Sequence, residues 1–123
     1  MTTFKYPRSA RLLTGEDFQA VFNDARVKVP DQHLLLLTRP NSLGHPRIGF
    51  VVSKKNVRLA VQRNRVKRII RENFRLNQHK LPAVDIVVLA RRGLGELEND
   101  ALHNLCGRSW SRLRKKSKQR TNK

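Results

Sequence analysis

The sequence predicts an α+β domain in which one sheet is backed by helices. Three observations carry this: two runs of strand formers split by a turn-rich segment, a long stretch with apolar residues at helical spacing, and a nearly unbroken apolar run close behind it. A chain of 123 residues has room for one such core and not for two.

Thr14-Gly15-Glu16-Asp17 supplies an N-cap and an acidic first turn ahead of Phe18, Val21 and Phe22, so a first helix is predicted from about Gly15 to Asn23. His33 to Thr38 and Arg47 to Ser53 then read as strands. Pro40-Asn41-Ser42-Leu43-Gly44-His45-Pro46 lies between them, and the pair is expected to form a hairpin with a long loop. From about Leu59 to Gln78 the period becomes helical. Leu59, Val66, Ile69, Ile70 and Phe74 share one side of the wheel, and Asn64, Lys67, Arg68, Arg71 and Arg75 lie around the other. Pro82 ends that helix. Val84 to Ala90 is apolar at all but one position, which suits a central strand buried on both faces. A last helix is predicted from about Glu98 to Leu113, with Leu102, Leu105, Cys106 and Trp110 inward. Domain organisation follows: a single domain over residues 1–113 and a disordered basic tail over 114–123, whose side chains are all polar.

Charge points to the partner. Lys and Arg number 27 against 9 Asp and Glu, a formal net charge of +18. Such a surfeit opposes compaction unless a polyanion meets it, and nucleic acid, which releases condensed counterions on binding, is the expected one. At 38% hydrophobic residues the chain is still expected to fold. The lone Cys106 excludes an internal disulfide, His33, His45, His79 and His103 lack ligand spacing, and no window approaches the roughly 20 apolar residues of a membrane span. The N-terminal residues lack the apolar run of a signal peptide, so a cytoplasmic protein without a membrane partner is expected.

The densest information lies between Ser53 and Glu72. Lys54, Lys55, Arg58, Arg63, Asn64, Arg65, Lys67, Arg68 and Arg71 crowd a segment that keeps an apolar stripe, with Glu72 the local acid. Cations there can reach phosphates while the helix stays docked.

Arg63-Asn64-Arg65, followed by Lys67-Arg68 and Arg71-Glu72 and preceded by Arg47-Ile48-Gly49 and Ser53-Lys54-Lys55, resembles the signature of the protein component of bacterial ribonuclease P. Arg11-Leu12, Asp17-Phe18 and Val21-Phe22 support the resemblance, which runs from about Arg8 to Leu113. It implies a two-layer α/β sandwich of the ribosomal protein S5 domain 2-like type, with a left-handed crossover between parallel strands, where strand twist alone favours a right-handed one. It also implies a role beside a catalytic RNA in removing the 5′ leader of precursor tRNA. The motif helix would face the catalytic RNA and part of the leader. Phe18, Phe22, Leu34, Leu36, Val51 and Ser53 would line a cleft for the single-stranded leader, with Lys55, Asn64 and Lys67 at its rim. Aromatic faces stack on any base, so little sequence choice is expected. The chain departs from the family at Leu36, where an aromatic residue is common.

No catalytic side chain is expected. Two-metal hydrolysis of a phosphodiester needs gathered carboxylates, and Asp17, Asp24, Asp31, Glu72 and Asp85 are scattered, while Glu96, Glu98 and Asp100 suit a helix N-terminus. Magnesium ions would be bound mainly by the RNA subunit and none by the protein. No obligate protein partner is implied. The competing expectations are a structural ribosomal RNA-binding protein without a role in cleavage and a protein-only nuclease.

Overall fold

The computed structural model describes Arg11 and residues 14–121, with side chains up to Lys118. Residues 1–10, Leu12, Leu13 and residues 122–123 of the expected domain and tail lie outside them. Helix α1 (Gly15–Asn23) opens with the capping box its sequence predicts: Asp17 N donates to Thr14 Oγ1 at 3.1 Å, and Thr14 N to Asp17 Oδ2 at 3.4 Å. Strands β1 (Val27–Pro30), β2 (Leu34–Pro40) and β3 (Arg47–Val51) follow, then helix α2 (Ala60–Asn77), strand β4 (Val84–Ala90) and helix α3 (Asn99–Thr121). Short 3-10 turns at Gln78–Lys80 and Leu94–Glu96 flank β4.

The most apolar strand takes the middle of the sheet. Strand order is β1-β2-β4-β3, with β4 antiparallel to β2 and parallel to β3, the latter pair joined through α2. The expected hairpin of β2 with β3 is therefore corrected: β4 separates them. Buried on both faces, β4 gains more apolar burial between two strands than at an edge. The true hairpin joins β2 to β1, a strand the sequence reading missed, with Val29 opposite Leu36.

Alternation splits the sheet into two faces. Val27, Val29, Leu34, Leu36, Ile48, Ile86 and Val88 meet Val66, Ile70 and Phe74 of α2 and Leu102, Leu105 and Leu113 of α3 in the main core. Phe74 and Trp110 pack edge to face at 6.1 Å, and Trp110 Nε1 donates to Asn73 Oδ1 at 2.8 Å, fastening α3 to α2. On the opposite face, Val21 of α1 closes a smaller cluster with Leu37 and Val87.

A second correction concerns the C-terminal tail. Helix α3 continues past Leu113 to Thr121, where the sequence predicts disorder. Lys, Arg and Gln are good helix formers, the docked turns before them have already met the cost of nucleation, and cations suit a helix C-terminus. Lys116 Nζ also donates to Lys28 O at 2.7 Å, tying this stretch to β1.

Candidate nucleic-acid interface

After β3 the chain turns at Ser53, whose carbonyl accepts from the backbone N–H groups of Asn56 and Val57. Asn56 Nδ2 donates to Ala90 O at 2.9 Å, anchoring the turn to the end of β4. Held there, Lys54, Lys55 and Arg58 are exposed just ahead of the α2 N-terminus, which has no acidic residue in its first turn. The partial positive charge of that helix end therefore adds to theirs.

Along α2, Asn64, Arg68 and Arg71 are exposed at helical spacing, with half-buried Lys67 beside them. Arg71 also stacks over Phe50 of β3, 5.2 Å from the ring centroid. Opposite them, Val66, Ile69, Ile70 and Phe74 fix the helix to the core. Glu72 is engaged by Arg75 at 2.6 Å, and this hydrogen bond first of all holds its carboxyl below the ordinary range.

The flanking arginines of the Arg63-Asn64-Arg65 motif turn inward. Arg63 Nη1 donates to Val57 O at 3.0 Å and Arg58 O at 2.8 Å, bracing the turn before α2. Arg65 reaches the loop before α3, donating to Asn99 Oδ1 at 2.7 Å, Gly95 O at 3.0 Å and Leu97 O at 2.7 Å. Both were expected among the RNA contacts. The structure gives them intramolecular partners, and Asn64 stands between them facing outward.

The predicted cleft residues divide. Phe18 packs partly against the smaller cluster, Phe22 is 42% exposed on α1, and Val51 is 37% exposed on β3. Ser53 is exposed just beyond that strand. Leu34 and Leu36 need correction. They are 2% and 1% exposed within the main core, on the sheet face opposite α1. A strand residue and its neighbour point to opposite faces, so the side chains that β2 presents toward α1 are Leu35 and Leu37. Half-buried Leu35 and Leu89 were missed. With Phe18 they pack against the smaller cluster as an apolar strip that α1, with exposed Phe22 on it, covers only in part, and Val51, the register partner of Leu89, extends the strip onto β3. Gly49, between Arg47 and Val51 on the same face of β3, adds no side chain to it.

One end of that strip is fixed by charge. Arg47 pairs with Asp85, its register partner on β4, through Nε to Oδ1 at 2.8 Å and Nη2 to Oδ2 at 2.7 Å. Its Nη2 also lies 3.6 Å from Asp17 of α1. The hydrogen bonds to Asp85 are the main reason that its guanidinium holds its proton more tightly than usual. Asn41 Nδ2 donates to Asp85 Oδ1 at 2.9 Å, so the buried carboxylate is well satisfied.

Among the described residues no three His, Cys, Asp or Glu side chains gather where they could hold a metal ion. Nor is any helix among them long and apolar enough to cross a membrane.

Residues 6–114 match the family model for Ribonuclease P. The chain belongs to the bacterial ribonuclease P protein family. It is 59% identical over 110 residues to the ribonuclease P protein component of Chromohalobacter salexigens, covering 89% of this chain and 86% of that one. Against the Pseudomonas aeruginosa protein component it is 58% identical over 113 residues, covering 92% and 84%. A Staphylococcus aureus RNase P protein mutant with defective mRNA degradation activity superposes with a TM-score of 0.77 at 31% identity, covering 90% of each chain. The Thermotoga maritima RNase P protein gives 0.73 at 30% identity, covering 83% of this chain and 96% of that one. The family places the chain as the protein subunit of a ribonucleoprotein endoribonuclease that matures the 5′ end of tRNA.

Proposed function

We propose that the chain is a single RNA-binding domain with two working surfaces: a basic face that docks on the catalytic RNA and an apolar strip that holds the 5′ leader of precursor tRNA. The observation that carries this is their adjacency. Exposed Lys54, Lys55, Arg58, Asn64, Arg68 and Arg71 continue from the end of β3, whose Val51 is the register partner of Leu89 in the strip that α1, carrying exposed Phe22, covers in part. Cations contact phosphates without regard to sequence, and aromatic faces accept any base. The protein's own part is to bind, to neutralise repulsion between two RNAs, and to position the leader.

Magnesium belongs to the RNA in this reading. The scattered carboxylates of the chain do not suit a catalytic ion pair, and no step is assigned to them. The cytoplasm, where tRNA is matured in bacteria, is the corresponding location.

Cleavage of precursor tRNA by protein alone, RNA alone and both together at low magnesium tests the role. Correct 5′ cleavage is expected with the RNA present and is enhanced by the protein. Metal-dependent cleavage by rigorously RNA-free protein would overturn the division of labour.

A further inference from the structure

A second cluster of cations lies away from both surfaces. At the C-terminal end of α2, the turn Gln78–Lys80 and Pro82 lead into β4, and the last turns of α3 border them. Between the two is a pocket of about 710 Å³ lined by Lys80, Pro82, Ser111, Arg114, Lys115 and Lys118, among others. Arg114, Lys115 and Lys118 are exposed, and none of the four cations takes part in the ion pairs found among the described residues. No Asp or Glu lines the pocket. No Asp or Glu occurs after Asp100, and Glu72 is engaged by Arg75. The C-terminal ends of α2 and α3 offset about half a charge each, well short of four.

We propose that this pocket is a second RNA-docking surface that takes the phosphate backbone of a duplex segment of the catalytic RNA. The inference rests on the function proposed above and extends it to a part of the chain outside the signature motif. Two features select the occupant. The lining offers ammonium, guanidinium and hydroxyl donors but no aromatic ring, so it favours phosphates and leaves an unpaired base only the Arg114 guanidinium plane to stack on. It lies at the far end of α2 from Lys54, Lys55 and Arg58, and the 18 residues of that helix span about 27 Å. A phosphate bound at one end is beyond reach of the other, so the two sites grip different parts of the RNA.

The test uses the full chain with the RNA subunit. In the variant Arg114→Gln/Lys115→Gln/Lys118→Gln, the slope of log affinity against log salt should flatten by roughly 0.7–0.9 for each phosphate no longer neutralised, with the melting temperature unchanged. A hydroxyl-radical source tethered through Ser111→Cys should cut a duplex stretch of the catalytic RNA. It should cut elsewhere when tethered through Lys54→Cys. Buried Cys106, whose thiol is pushed up to about 12, will not compete for the tether. An unchanged salt slope, or cuts confined to single-stranded RNA, overturns the proposal. So does a triple variant that loses only its binding to phosphatidylglycerol vesicles, which would make the surface a lipid-binding one. Arg68→Gln/Arg71→Gln separates the two readings: a full salt slope there together with a reduced one in the triple variant sinks the α2 docking face and leaves this site standing. The reverse pattern sinks this site alone.

Discussion

Replacing Arg65 by Gln and, separately, Arg68 by Gln distinguishes a brace from an RNA-binding group within one basic motif. Arg65 gives three hydrogen bonds to Asn99, Gly95 and Leu97, and holds the loop before α3 against α2. Hydrogen bonds from charged groups contribute about 1.5–3 kcal/mol each, and glutamine can keep one of the three. Because the site is half-exposed, the expected net loss is about 2–4 kcal/mol. At roughly 4 °C per kcal/mol for a domain of this size, the melting temperature should fall by about 8–16 °C. Arg68 is exposed and makes no ion pair among the described residues. Its replacement should shift stability by less than about 0.5 kcal/mol. It should flatten the salt dependence of binding to the catalytic RNA by roughly 0.7–0.9, the effect of one phosphate left without its cation. Circular-dichroism melts and filter binding across a salt series read both quantities on the same preparations. If Arg65→Gln melts like the wild type while its salt slope falls as for Arg68→Gln, Arg65 binds RNA and the bracing account is wrong.

Phe22→Leu should leave the melting temperature nearly unchanged, because Phe22 is 42% exposed, but weaken holoenzyme binding of leader-bearing precursor by about 1–3 kcal/mol relative to mature tRNA; equal weakening of both ligands would remove Phe22 from the leader site. Leu36→Ala, at a position 1% exposed, should cost about 2–5 kcal/mol in urea unfolding. Leu35→Ala should cost less and act on the leader instead, and the opposite ranking would reverse the assignment of faces. Asp85→Ala strands the Arg47 guanidinium, and with Asp17 still 3.6 Å away as a fallback the expected loss is about 2–4 kcal/mol, refuted by a change below about 0.5 kcal/mol. Desolvation pushes the Cys106 thiol up to about 12, so iodoacetamide at pH 8 should leave the native protein unlabelled and modify it quickly in denaturant; rapid native labelling would show that the α3 packing opens.

What could be read from sequence follows the strength of local signals. The Thr14-to-Asp17 cap and the apolar run at 84–90 fall where their chemistry puts them, because each is decided within a few residues. Pairing partners are not decided locally. The long turn-rich segment between β2 and β3 suggests a hairpin. The energetic demand of β4, buried on both faces, overrides it and inserts that strand between them. The same demand was visible in the composition of residues 84–90, so a reading that placed the most apolar strand first would have separated the other two.

The site was legible in its chemistry and only partly in its geometry. Four consecutive leucines, Leu34 to Leu37, carry no alternation, so nothing in that run says which two face the main core. The phase is available one strand away: Val27 and Val29 alternate with Lys28, and pairing of Val29 with Leu36 passes that phase to β2. Missing β1 therefore cost the correct face of the strip as well as a strand. The arginines of the motif posed a related difficulty, since a guanidinium on a helix flank can donate to phosphate or to a neighbouring carbonyl, and sequence spacing does not separate the two. Only the approach of the loop at Gly95 and Leu97 assigns Arg65 its partners. By fixing that loop, Arg65 supports the α2 surface from which Asn64 and Arg68 project. The motif thus combines residues that bind with residues that hold the binders in place, and loss of either kind should reduce RNA affinity through a different measurable quantity.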